Sequence, residues 1–285
     1  MNDFLVYDVG MNNGDDTAYY LHCGHRVLGI EADPHLCDQA ERRFSGEIAA
    51  GRFEVLPVAI GPIDGVIPFW ICEVDRGKSS CHLAEAGKKG RHVTAVDVPC
   101  RRLGSVFQSH GLPHFLKIDV EGYERVCLET LAEDHLPEYI SVQMNGIDEL
   151  LELRRLGYGT FKLVQQEHLT ELPDETRGWG AFSRYHLDQF IRGAQLGTKV
   201  AANFRRIKKQ LRSTLALAAP SRSSAPTSWK FSSRSSGPFG EDAAGPWMCF
   251  EDAAIRWLAH YRTRGRGFWC DVHGKRTATS QVKAA

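Results

Sequence analysis

Two stretches of the chain carry residues whose types and spacing can do chemistry. The first is Asp8-Val9-Gly10-Met11-Asn12-Asn13-Gly14-Asp15-Asp16-Thr17. Its glycines allow backbone and ligand to approach closely, and the amides that open a following helix can receive an anion. The second is Leu116-Lys117-Ile118-Asp119-Val120-Glu121-Gly122-Tyr123-Glu124. Strand alternation puts Lys117, Asp119 and Glu121 on one face, opposite Leu116, Ile118 and Val120. In a covered strand such charges must pair with each other or with a ligand, because an unpaired buried charge is costly. Each stretch also has a plainer reading: turn glycines with solvated acids in the first, a helix cap with its counter-ion in the second.

The elements that must position these residues follow from the periodicity. Phe4 to Val9, Arg26 to Ala32, Phe53 to Ile60, Phe115 to Val120, Tyr139 to Met144 and Tyr158 to Gln165 read as strands. Helix-like stretches separate them: Asp16 to His22, a helix opened by Asp33-Pro34, Tyr123 to Ala132, and Ile147 to Leu156 before Gly157. Val66 to Val74 reads as a hairpin or edge excursion. Strands in alternation with helices, apolar on both faces, predict an α/β fold with a doubly wound, mostly parallel sheet.

Composition sets the frame. The chain has 285 residues, 42% of them hydrophobic, enough for a large core and too many for a disordered or fibrous protein. Its 35 basic and 35 acidic residues cancel, but unevenly. Between Gln189 and Gly240 there are ten Lys/Arg and no Asp or Glu, leaving 25 basic against 35 acidic residues elsewhere, a net of −10. The eight cysteines are scattered without a C-x-x-C pair, which argues for free thiols and against a zinc ribbon or disulfide scaffold. No apolar run approaches the length of a membrane span, and the N-terminus lacks a basic signal-peptide region, so a cytoplasmic protein is expected.

In open α/β sheets a ligand sits beyond the carboxyl ends of the strands. The first loop has G-x-x-x-G spacing rather than the dinucleotide fingerprint, and Asp15 and Asp16 would repel a pyrophosphate. An amino-acid moiety fits better, with its carboxylate on the loop amides and its ammonium on Asp8. Glu31 follows at the end of the second strand, where a carboxylate can accept from both hydroxyls of a ribose. A ribose joined to an amino acid describes S-adenosylmethionine.

With the loop D-V-G-M-N-N-G-D-D-T, the following I-E-A-D-P, V-A-I-G at Val58 to Gly61 and L-K-I-D-V-E-G-Y-E, the chain resembles the FkbM family of S-adenosylmethionine-dependent methyltransferases over Phe4 to Gln165. That resemblance implies a class I methyltransferase, Rossmann-like fold with a seven-stranded sheet. It implies O-methylation of a hydroxyl on a sugar, glycan or secondary metabolite. Asp8, Gly10, Asn12, Gly14 and Glu31 would hold cofactor, with Ala59 near the adenine. The expected catalytic residues are Asp119, Glu121 and Lys117, with Asp119 the base, Glu121 the second choice and Lys117 their counter-charge. Relatives commonly carry Glu where this chain has Gln143, and many carry elements ahead of the first strand. A divalent ion on Asp119, Glu121 and Gln143 is an alternative means of acidifying the hydroxyl.

Four parts are expected: a cofactor-binding core over 1–166, a basic and Ser/Gly/Pro-rich excursion over 167–265 acting as a lid, a final core strand over 266–274, and a flexible tail over 275–285. Within the excursion, Thr198 to Leu217 reads as a basic helix and Pro220 to Pro246 as loop or linker. An RNA methyltransferase using the basic segment, and a non-catalytic Rossmann-like binding protein, are the rival readings. No metal is assigned, and the oligomeric state is left open.

Overall fold

The computed structural model describes residues 3–174, 229–232, 235–264 and 268–277. The elements are β1 (Leu5–Val9), α1 (Asp15–His22), β2 (Arg26–Ile30), α2 (Pro34–Arg43), α3 (Ser45–Ala49), β3 (Phe53–Leu56), β4 (Ala59–Ile60), β5 (Gly65–Cys72), α4 (Leu83–Ala86), β6 (Val93–Arg101), α5 (Leu103–His110), β7 (Phe115–Ile118), α6 (Glu124–Glu129), β8 (Tyr139–Gln143), α7 (Asp148–Leu156), β9 (Tyr158–Gln165), β10 (Thr170–Glu171), α8 (Phe250–Arg264) and β11 (Cys270–Arg276). No helix among the described residues is long and apolar enough to cross a membrane.

The main sheet has eight strands in the order β10-β9-β11-β8-β7-β1-β2-β3, not the expected seven. The extra strand, β10, is a two-residue antiparallel edge added to β9. Strands β3, β2, β1, β7 and β8 run parallel, and β11 inserts antiparallel between β8 and β9. The order reverses beside β1, so the carboxyl ends of β1 and β7 flank the switch point where α/β sheets bind ligands. The Val66 to Val74 excursion is real: β5 pairs with β6 and belongs to a separate three-stranded sheet, β4-β6-β5.

Local chemistry sets the element ends. Asp33 caps α2, accepting from the His35 amide at 2.9 Å, with Pro34 at the first helical position. Helix α7 stops at Gly157 in the left-handed conformation. Helix α1 is entered through Gly14 at φ 77° with no side-chain cap. Strand β7 ends at Ile118, two residues sooner than expected, because Asp119 to Gly122 turn away with Glu121 at φ 53°.

The two faces of the sheet are covered differently. Helices α5 to α8 bury one face through residues such as Phe107, Leu128, Leu153 and Trp257. Helix α1 covers the other with Tyr19 and Tyr20, beside Phe44 of the α2–α3 junction. Phe231, Phe239 and Trp247 pack partly buried against this second cluster, and Phe239 stacks on Phe115 with centroids 4.1 Å apart. Within the stretch Pro220 to Pro246 expected as loop or linker, residues 235–246 are therefore part of the packed structure: Ser235, Ser236, Ala243 and Ala244 are buried. The Lys162 ammonium anchors it by donating to the carbonyls of Gly240, Glu241 and Ala243 at 3.0, 3.2 and 2.7 Å. The expected basic helix lies outside the described residues. The last strand spans 270–276 rather than 266–274, so the first residues of the expected tail pair in the sheet.

Candidate active site

A cleft opens at the carboxyl ends of β1 and β2, the place where open α/β sheets bind ligands. Gly10, Asn12, Glu31, Ala59 and Asp119 all line it. Gly10 has φ 76°, and a Cβ there would lie 1.8 Å from the Asp119 carbonyl oxygen. Only glycine lets the first loop cross the end of β7 this closely.

Glu31 is buried and fixed by two backbone donors: the Asn12 amide to Oε2 at 2.8 Å and the Asp33 amide to Oε1 at 2.9 Å. Burial raises its pKa, and those two hydrogen bonds oppose the rise. Asn12 holds φ 53°, a left-handed conformation that Asn tolerates, and this aims its amide at Glu31. Asp33 is itself gripped by Arg76, whose guanidinium reaches both carboxylate oxygens at 2.7 and 2.6 Å. Arg76 thus ties the short helical turn Arg76–Lys78 over the cleft, a contact between residues 43 apart that sequence spacing did not signal.

Asp8, expected to meet the ammonium of the amino-acid moiety, does not line the cleft, and Lys117 lines only the adjoining polar pocket. Asp8 is fully buried, taking the Lys117 ammonium on Oδ1 at 2.9 Å and the Thr17 hydroxyl on Oδ2 at 2.7 Å. It is absent from the cleft wall, because a residue before the strand end points into the layer beneath α1. Lys117 also pairs with Asp16 at 3.4 Å. Burial disfavours the lysine charge, but Asp8, Asp16 and Asp119 outweigh that and hold its pKa well above the usual range. Asp16 is held in turn by the Ser235 hydroxyl and the Ser236 amide. Gly14 is a packing residue: a Cβ there would meet the Phe44 ring at 2.6 Å.

Asp119 is half-buried and borders three adjoining cavities: the cleft, a polar pocket toward Asp15 and Lys117, and a small cavity reaching Gln143. No hydrogen bond or ion pair holds its carboxylate among the described residues. Burial raises its pKa, with Lys117 and Lys78 opposing. Glu121 shares the cleft and the small cavity but is engaged by Lys78. Burial and Asp119 raise its pKa, and Lys78 opposes. Strand alternation does not place Glu121, since β7 has already ended.

Three contributors escaped sequence reasoning. Glu124, the last residue of the second motif, accepts from the Val120 and Gly122 amides at 3.0 and 2.9 Å and from the Asn145 side chain at 2.7 Å. It builds the turn that presents Asp119, and burial pushes its pKa up to about 8. Asp271 stands opposite Gln143 in the β8–β11 register. It is buried, accepts from Gln166 at 2.6 Å, and is pushed up to about 7 by burial and by Asp119. The signal was an acid inside the apolar run Trp269-Cys270-Asp271-Val272. Gln166 is the third, through that bond. Among the described residues no three His, Cys, Asp or Glu side chains converge as a metal site.

Chemically, the cleft offers an apolar slot around Ala32, Leu36, Val58, Ala59 and Phe69, with the pinned Glu31 carboxylate at its edge. The adjoining pocket carries both signs, Asp15 and Asp16 against Lys117 and Arg76. A planar base, a diol and a zwitterionic tail match these surfaces.

Comparison with known proteins agrees with that chemistry. The model of the methyltransferase FkbM domain matches residues 8–159. No curated protein matches the chain in sequence. Among solved structures, an S-adenosylmethionine-dependent methyltransferase from Geobacter sulfurreducens in complex with S-adenosyl-L-homocysteine is 12% identical, with 96% of this chain and 85% of that one covered at a TM-score of 0.36. The C-terminal domain of precorrin-6Y C5,15-methyltransferase from Rhodobacter capsulatus is also 12% identical, covering 58% and 67% at a TM-score of 0.33.

Proposed function

The chain belongs to the FkbM methyltransferase family, uses S-adenosylmethionine, and from that premise we propose that it methylates a hydroxyl of a sugar, glycan or secondary metabolite. When bound, the donor supplies a methyl group already activated on a sulfonium centre. Glu31 accepts from the ribose diol, with its two backbone donors preventing it from rotating away. Ala59 and Phe69 line the slot that would hold the base, and the pocket between Asp15 and Lys117 would hold the amino-acid tail.

The observation that carries the reading is Asp119. It sits where the cofactor cleft meets the open side of the site, without a partner among the described residues and with a pKa raised by burial. A hydroxyl is a poor nucleophile, and a carboxylate of raised pKa is a fitting proton acceptor for it. Lys117 is a positioning residue, and Glu121, tied to Lys78, is the weaker candidate for base.

The test is incubation of the pure protein with methyl-labelled donor and separate sugar, glycan, metabolite and RNA pools, followed by mass spectrometry. Label on a hydroxyl oxygen of a small molecule or glycan is expected. Label on nitrogen or on RNA, or none anywhere, would overturn the proposal.

A further inference from the structure

Past Glu121 and Gln143 the small cavity opens into a groove whose lining includes a group of cations and a group of aromatic rings. The segment after β5 supplies Lys78, Lys88, Lys89 and Arg91; the segment leading into β11 supplies Phe268 and Trp269. Glu85 and Glu121 are the carboxylates in the same lining, so four cations face two anions.

The cations are differently committed. Lys78 pairs with Glu121 and lies 4.6 Å above the Trp269 ring. Lys88 pairs with Glu85 at 2.8 Å in an exposed contact of little worth. Lys89 sits at φ 62° and has no ion pair among the described residues. Arg91 donates through Nε and one terminal nitrogen to the carbonyls of Ala86 and Glu85, at 2.9 and 2.5 Å. Its guanidinium is thereby held in place with its other terminal nitrogen unused among the described residues. Trp269 is 41% exposed. An indole face suits the C–H face of a sugar-sized ring, and a preset group of cations focuses an anion. A neutral acceptor would make no use of the surplus charge.

We propose that the acceptor is an anionic ring polyol, its ring over Trp269 and its carboxylate or phosphate held by Lys88, Lys89 and Arg91. This rests on the hydroxyl-methylation reading above and narrows its substrate class. The groove joins the transfer site through Glu121 and Gln143, so one molecule can reach both.

The test is titration of the full chain, saturated with S-adenosylhomocysteine, with glucose 6-phosphate, glucuronate and glucose, followed by calorimetry and tryptophan fluorescence. At least one anionic sugar is expected to bind about tenfold more tightly than glucose and to weaken as salt is added. The phosphate and carboxylate arms show which anion is preferred. The exposed double substitution Lys88→Gln/Lys89→Gln should lose about tenfold for the anionic sugar while keeping S-adenosylhomocysteine affinity and the thermal midpoint. Equal affinity for all three sugars, an unchanged double variant, or a single-stranded RNA oligomer outcompeting the sugars would overturn the proposal. Failure of S-adenosylhomocysteine itself to bind would instead overturn the reading beneath it, and this one with it.

Discussion

The row Asp8–Lys117–Ser141–His273–Lys162 crosses the sheet, and two residues further along lie the pair Gln143–Asp271 and, just past the end of β7, Asp119. The first is closed. Asp8 is filled by Lys117 and Thr17 and Lys162 by three carbonyls, and Lys117 borders a polar pocket. His273 stays neutral within it, because burial and Lys162 push its pKa down to about 3. The second group lies at the strand ends and is open, with Asp119 and Gln143 lining a cavity and Asp271 behind them. Both groups are rich in charge, but depth along the strand separates structural work from chemical work. Deeper in the sheet Asp8 and Lys162 are completed by protein groups, whereas past the end of β7 the Asp119 carboxylate has no hydrogen bond or ion pair among the described residues.

The largest effect should come from the open group. Asp119→Asn is expected to lower kcat/KM about 10²–10⁴-fold, the usual worth of a general base, while S-adenosylhomocysteine affinity stays within about threefold. Loss of both together would make Asp119 a binding group instead. In the closed row, Lys117→Met leaves Asp8 and Asp16 buried without their cation and should cost about 3–5 kcal/mol in denaturant unfolding. Asp8→Asn combined with Lys117→Met should recover part of that loss; simple additivity would show that the two do not act as a pair. Glu31→Gln is expected to weaken S-adenosylhomocysteine binding about 10–100-fold in calorimetry, as for charged hydrogen bonds, with little change in stability.

The smallest effect is pH-dependent. The Asp271 carboxyl is raised from 3.8 to about 7 in the fold. Its contribution to stability is therefore complete below the unfolded value and lost as pH rises through about 7. Asp271→Asn should accordingly be more stable than wild type near pH 8 and close to it near pH 4. His273 acts in the opposite sense: lowered to about 3, it is stabilising above 6.5 and loses that contribution as pH falls toward 3. Thermal midpoints across pH separate the two, and a flat difference for Asp271→Asn would contradict the raised carboxyl.

Much of this was legible in the sequence. Apolar runs and helix starts gave the strand–helix alternation, and the two motifs with Glu31, together with Ala59 from the family resemblance, gave residues that line the cleft. The misreadings share a cause. Alternation says which residues share a face but not which strand lies alongside, so the Asp8–Lys117 pair, 109 residues apart, was invisible. Segment 235–246 has the Ser/Gly/Pro composition of a linker, yet that composition also lets backbone pack tightly on Asp16 and under Lys162. Glu124 and Arg76 act on backbone turns and on a distant cap, roles that no local pattern reveals.

The contrast between a carboxylate closed off by the protein and one that lines the cleft is tested most directly by comparing Asp8 with Glu31, which lie near the same loop. Calorimetric titration of S-adenosylhomocysteine into Asp8→Asn and Glu31→Gln, each confirmed folded by circular dichroism, measures it directly. The account predicts that Asp8→Asn binds like wild type and that Glu31→Gln loses at least about tenfold. Equal losses in both variants, or a loss confined to Asp8→Asn, would contradict it.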